Sequence, residues 1–342
     1  MEMSQTEDRG LHGARQTANK DVRMEMKTNR PPRLTRLRRH GLTLAGIAAL
    51  TLAGCSDQQQ TATTPRFEAA PVAQAAQATV YRFGIHPLHN PTRLHEIFGP
   101  VMAYLDRHIP GSNFRVEASR NYAAYDEKLF AGEFHFSLPN PYQTIASLDK
   151  GYRVFGKMGD DDNFRGIFLV RKDSGIQEIG DLKGKAVSYP APTALAATMM
   201  PQYYLQQHGL DVMREVDNRY VGSQESSIMN VFLGHTVAGA TWPPPWRALS
   251  KERPELAEQL EVKWQTEPLP NNGLVVRKDM PQDLVDKVSE LLFKLHTHQE
   301  GREMLERMEL SRFEPATDAT YEPVRTFLKA FAEQVRQPRE ES

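Results

Sequence analysis

Five short polar stretches carry the residue types that could hold a small anion. They are His86-Pro87-Leu88-His89-Asn90, Ser137 to Tyr142, Tyr189 to Thr193, Gly222-Ser223-Gln224-Glu225, and Thr241-Trp242-Pro243. Each follows a stretch that reads as a β-strand, and in open α/β sheets ligands lie beyond the carboxyl ends of the strands. Several lead into helix starts, where free N–H groups and the helix dipole attract anions. Such groups can hold an oxyanion without a full arginine clamp. The candidate ligand contacts are therefore His86, Asn90, Ser137, Asn140, Tyr142, Tyr189, Thr193, Ala194, Ser223, Gln224, Glu225 and Trp242. Trp242-Pro243-Pro244-Pro245-Trp246 reads as a loop stiffened by three prolines, with flat apolar rings at its ends. With Tyr142, Tyr189 and Leu195 it suggests a partly aromatic cleft, suited to a ligand with an organic part beside an anionic head. Trp242 fits either that wall or the packed interior; Trp246 fits the interior.

Other chemistry is poorly served. His86, His89 and His95 lack the His-x-x-x-His or His/Cys spacing of a zinc site. Asp160-Asp161-Asp162-Asn163 lacks the glycine and distal glutamate of a calcium loop and reads as a solvated turn. Neither Gly-x-Ser-x-Gly nor a phosphate-binding glycine loop is present. No metal, cofactor or catalytic residue is expected. With 42 basic and 43 acidic residues the formal net charge is -1, which argues against a nucleic-acid partner.

The only cysteine says where these residues work. Gly41 to Leu52 is apolar and far shorter than the roughly 20 residues that cross a bilayer. Arg33, Arg36, Arg38, Arg39 and His40 precede it, and Leu52-Ala53-Gly54-Cys55 ends it. Basic start, short apolar middle and small end make a secretory signal peptide. The run into Cys55 resembles the bacterial lipobox, which implies cleavage before Cys55 and a lipid on its thiol. No cysteine then remains for a disulfide. Residues 1–23 read as an over-called start, 1–55 as the signal region and 56–78 as a Gln-, Thr-, Ala- and Pro-rich tether.

The remaining chain must position the five stretches, and its roughly 260 residues suffice for two lobes. Val80–Ile85, Phe114–Ala118 and Phe134–Leu138 read as strands separated by helices, the first helix capped by Thr92. Strand–helix alternation of this kind predicts a mainly parallel α/β sheet. A second series starts at Lys185, with a helix from Thr193 to His208. Gly166-Ile167-Phe168-Leu169-Val170-Arg171-Lys172-Asp173 is echoed by Gly273-Leu274-Val275-Val276-Arg277-Lys278-Asp279. Two similar strands around an inserted α/β segment suggest a chain that crosses to a second lobe and returns.

At this point the sequence resembles the type II periplasmic solute-binding proteins of the phosphate, phosphite and phosphonate branch. Val170 to Ile176 with Asp181 to Lys185, Pro139-Asn140-Pro141-Tyr142, and Pro268 to Val276 carry the resemblance, which covers roughly residues 79–310. It implies a two-lobed α/β fold with a hinge of two crossing strands, closing on a small ligand for an ABC permease. Residues 79–166 and 267–335 would form lobe 1, 167–266 lobe 2, and 336–342 a disordered tail. A monomer is implied, held to membrane lipid at the periplasmic face through Cys55. The sequence departs from the phosphonate pattern at Ala194-Leu195-Ala196-Ala197, where relatives carry a Ser-Thr-Ser-Gly-type run, and at Gln224, where they carry histidine. The same fold would serve a receptor that reports to a sensor kinase, or an enzyme of the thiamine-pyrimidine type with His86 or His89 in its cleft.

Overall fold

A computed structural model describes residues 78–339. The signal region, Cys55 and the tether up to residue 77 lie outside the described residues. The first series runs β1 (Thr79–Ile85), α1 (Pro91–His108), β2 (Ser112–Ala118), α2 (Tyr122–Phe130), β3 (Phe136–Leu138), α3 (Pro141–Leu148) and β4 (Tyr152–Met158). The chain then enters β5 (Ile167–Arg171), β6 (Ala186–Tyr189), α4 (Met200–Gln207), α5 (Val212–Glu215), β7 (Asp217–Tyr220), α6 (Gln224–Phe232), β8 (Ala238–Thr241), α7 (Pro243–Glu252), α8 (Pro254–Gln259) and β9 (Leu260–Gln265). It returns through β10 (Gly273–Arg277), α9 (Gln282–Phe293), α10 (Gln299–Arg307), β11 (Phe313–Glu314) and α11 (Glu322–Gln334).

These strands make two sheets, ordered β11-β4-β10-β3-β1-β2 and β7-β6-β8-β5-β9. Each defines a lobe. Parallel pairs centre on β1 in one sheet and β6 in the other; the pairs of β5 and β10, the strands that follow the crossings, are antiparallel. The two-lobed α/β fold expected from the sequence is what the chain adopts. The crossings lie side by side as a hinge. Thr266 N donates to Gly166 O at 2.9 Å, Leu269 N to Phe164 O at 3.1 Å, and Asn271 Nδ2 to Gly159 O at 2.7 Å. A Cβ on Gly166 would stand 2.5 Å from Ala196 O, so only glycine lets the chain before α4 approach the crossing this closely.

Local sequence explains the helix starts. Asn90, not Thr92, caps α1: its Oδ1 accepts from Arg93 N at 3.0 Å, and Pro91 takes the first helical position, which needs no donor. The expected Pro243–Pro245 loop is instead the first turn of α7, because a first turn leaves its N–H groups unbonded and proline has none to waste. Ahead of α4 the chain makes one π turn over Leu195–Met199, where the N–H of Thr198 and that of Met199 both reach Ala194 O, at 2.8 and 3.2 Å. The expected disordered tail is also corrected for residues 336–339. Arg336 leaves α11 and donates to Gln202 Oε1 at 3.1 Å and to the carbonyl of Pro192 at 2.7 Å, while Tyr142 Oη donates to the carbonyl of Pro338 at 3.0 Å. Buried partners on lobe 2 and the half-buried Tyr142 of lobe 1 outweigh the polar composition that suggested disorder.

Candidate functional site

The carboxyl ends of β1, β2, β3 and β8, with the starts of α3, α6 and the π turn before α4, converge between the lobes. They enclose a cavity of about 10 Å³, the room of a single water molecule. From lobe 1 come His86, Tyr122, Asn140 and, on the crossings, Phe164 and Asn272; from lobe 2 come Ala194 to Ala197, Gln224 and Trp242. Among the described residues, no lysine or arginine lines it.

His86 follows β1 directly and is 3% exposed. Its Nδ1 lies 2.8 Å from Leu138 O, which only accepts, so Nδ1 carries the hydrogen. Burial holds its pKa down to about 4, so the ring is neutral near pH 7. Asn140 caps α3 in a reciprocal box with Gln143 and sends Nδ2 across the cleft to Thr193 O at 3.0 Å. Gln224 opens α6; its Oε1 accepts from Thr241 Oγ1 at 2.8 Å and its Nε2 reaches Tyr122 Oη at 3.4 Å. Trp242 is 3% exposed and meets Phe164 edge to face, with centroids 5.6 Å apart. It both packs the interior and walls the cavity, so the two readings of its sequence position are one.

The π turn presents backbone rather than hydroxyls. First-turn N–H groups have no intrahelical acceptor, and among the described residues those of Leu195, Ala196 and Ala197 donate to no backbone group outside the helix. The side chains of Ala194 and Ala197 pack on Tyr122, and Leu195, Ala196 and Trp242 join the apolar core of lobe 1. Where α7 points at the cleft, Pro243, Pro244 and Pro245 remove the amides a helix start would otherwise offer.

Five candidates, His86, Asn140, Ala194, Gln224 and Trp242, thus meet at the cavity. The others lie elsewhere. Ser137 is buried beneath the sheet, bonding Gly84 O and Tyr125 Oη at 2.8 and 2.7 Å. Tyr142 turns to the C-terminal segment. Tyr189 shares a strand face with Val187 and sits in the lobe 2 core, where burial pushes its hydroxyl pKa far up. Thr193 contributes its carbonyl to Asn140. Ser223 caps α6, accepting from Ser226 N at 3.0 Å. Asn90 and Glu225 stand at the rim, 3.5 Å apart, beside His89, whose Nδ1 is 3.8 Å from Glu225 Oε1. Arg93 of α1 pairs with Glu252 of α7 there.

Tyr122, Phe164 and Asn272 are the lining residues that the sequence reading missed as contacts. Tyr122 follows β2, and the rule that flagged five strand ends would have found it at a sixth. Phe164 and Asn272 lie on the crossings, which that rule does not reach.

Residues 83–321 match the family model for the periplasmic substrate-binding protein of phosphonate ABC transporters. The phosphonates-binding periplasmic protein of Escherichia coli is 22% identical over 163 residues, 46% of this chain and 48% of that protein, so the match spans about half of the relative's length. A binding-protein component of a phosphonate ABC transporter from Pseudomonas aeruginosa superposes with TM-score 0.70 at 18% identity, over 75% of this chain and 88% of that one. A Prochlorococcus marinus protein solved with methylphosphonate gives TM-score 0.69 at 17% identity, over 74% of this chain and 98% of that one.

Proposed function

The chain belongs to the periplasmic substrate-binding family of phosphonate ABC transporters, and on that basis we propose that it closes its two lobes on a small phosphorus oxyanion with a compact apolar substituent and delivers it to an ABC permease. The residues that line the cavity between the lobes carry this reading; the lobes part to admit a ligand, since the cavity as closed has room for a single water. Three backbone N–H groups at Leu195–Ala197 are available for oxyanion oxygens. Phe164, Trp242, Tyr122 and Leu195 supply apolar wall for a substituent on phosphorus. The loss of the hydroxyl run weakens the hold on a bare, highly charged oxyanion, since hydrogen bonds to charged groups contribute about 1.5–3 kcal/mol each.

The protein acts as a receptor rather than an enzyme, in line with a family of substrate-binding components. It works in the periplasm, as its family does, and we read Cys55 as its lipid anchor. Labelling with palmitate is expected in the wild type and lost in Cys55→Ser; persistent labelling refutes the anchor. A thermal-shift panel of phosphate, phosphite, methylphosphonate and larger alkyl phosphonates tests the ligand class, because a ligand stabilises the form that binds it. The small alkyl phosphonates are expected to shift the melting temperature most, and a panel without any shift refutes the reading.

A further inference from the structure

Opposite the amides of Leu195 to Ala197, the cavity carries two side-chain acceptors, on His86 and Asn272. His86 Nδ1 is spent on Leu138 O, so Nε2 carries the lone pair, and the ring lines the cavity. Asn272, 0% exposed, lines the same cavity, and its Oδ1 has no hydrogen-bond partner among the described residues. Its Nδ2 turns away to Met158 Sδ at 3.4 Å. The two side-chain amides among the lining residues of α3 and α6 are engaged: Asn140 Nδ2 on Thr193 O at 3.0 Å and Gln224 Nε2 on Tyr122 Oη at 3.4 Å. Three prolines leave the start of α7 without amides. A buried acceptor without a donor is destabilising, and Asn272 Oδ1 repels a bare oxygen of a dianion.

We propose that the cleft takes its phosphorus oxyanion as the singly protonated monoanion, with the ligand's P–OH donating to His86 Nε2 and Asn272 Oδ1 disfavouring any further negative oxygen. The proposal rests on the phosphorus-oxyanion reading above and names the form that is bound. His86 stays neutral across the relevant range, because burial holds its pKa down to about 4. The rings of Tyr122 and Tyr125 pack against it, with centroids 6.3 and 6.4 Å away, and His89 acts on it by charge. Glu225, Arg93 and Glu252 act on His89 at the rim. The ligand is therefore the group that titrates: the second ionisation of a phosphorus oxyanion falls near neutrality, at roughly 6 for a phosphorylated side chain.

Titration calorimetry of the protein with methylphosphonate, between about pH 5.5 and pH 8.5, tests this. Above the ligand's second ionisation the Kd is expected to rise about tenfold per pH unit, as the monoanion is depleted. Methanesulfonate, which matches the shape but carries no proton, is expected to bind at least about tenfold more weakly at the acid end. His86→Phe is expected to flatten the pH slope and erase the preference over the sulfonate, while His89→Gln keeps both. If His86→Phe does not fold, the wild-type comparison of the two ligands decides. Methylphosphonate binding that is flat or tightens with pH, or sulfonate binding of equal strength, overturns the proposal and leaves the functional reading standing. If neither ligand binds at any pH, both the proposal and the functional reading are overturned.

Discussion

His86 shows how burial fixes the chemistry of a single side chain. Its pKa falls from an ordinary 6.5 to about 4 because the charged ring would lose its water. A depressed histidine means that the unfolded chain binds more protons than the folded one between those values. Stability is therefore full above about pH 6.5 and falls as pH drops toward 4, by up to about 3 kcal/mol. A melting-temperature series across that window is expected to show the loss in the wild type and a shallower one in His86→Phe; His89, lowered by burial as well, leaves a residual slope. An equal slope in both proteins contradicts this assignment. At this scale the sequence was half legible. His86, Asn140, Gln224 and Trp242 follow strands, and their position alone brought them to the cleft. Tyr189 ends one, but the alternation of side chains along β6 sends it into the core, and that parity depends on where the strand begins.

At the scale of elements, the C-terminal segment ties the lobes together. α11 packs with the core of lobe 1 through Val324 and Phe331, yet Arg336 bonds Gln202 and Pro192 of lobe 2, with its guanidinium 5.9 Å from the Tyr220 ring centroid. Pro192 lies two residues before Ala194, so the strap braces the loop that lines the cavity. Arg336→Ala removes contacts made across the lobes and is expected to raise the Kd about thirtyfold, at about 1 kcal/mol for each of two lost hydrogen bonds. Calorimetry checks it, and unchanged affinity contradicts the bracing role. The sequence hid this element because Arg336 to Arg339 is polar and follows a helix, a pattern shared with frayed ends. It likewise hid the start of α7, since three consecutive prolines mark a loop unless they fall on a first turn.

At the scale of the molecule, the fold was legible because its signals are redundant. Two echoing strands, Ile167–Arg171 and Gly273–Arg277, each follow a crossing, and each ends in an arginine bonded to an aspartate two residues on. The cavity was not legible, because it exists only when the lobes meet. Asn272 and Phe164 stand on the hinge, and Tyr122 touches Ala194 and Ala197 from the opposite lobe. Ala194 and Ala197 make apolar contact with Tyr122 between the lobes, so packing holds the lobes together at this point. A crystal structure of the protein grown with methylphosphonate tests the central claim directly. The expected result is one molecule between the lobes, its oxygens on the amides of Leu195 to Ala197 and on His86 Nε2, and its methyl group against Trp242 and Phe164. A methylphosphonate bound away from that cavity, or lobes closed with none between them at saturating concentration, would contradict it.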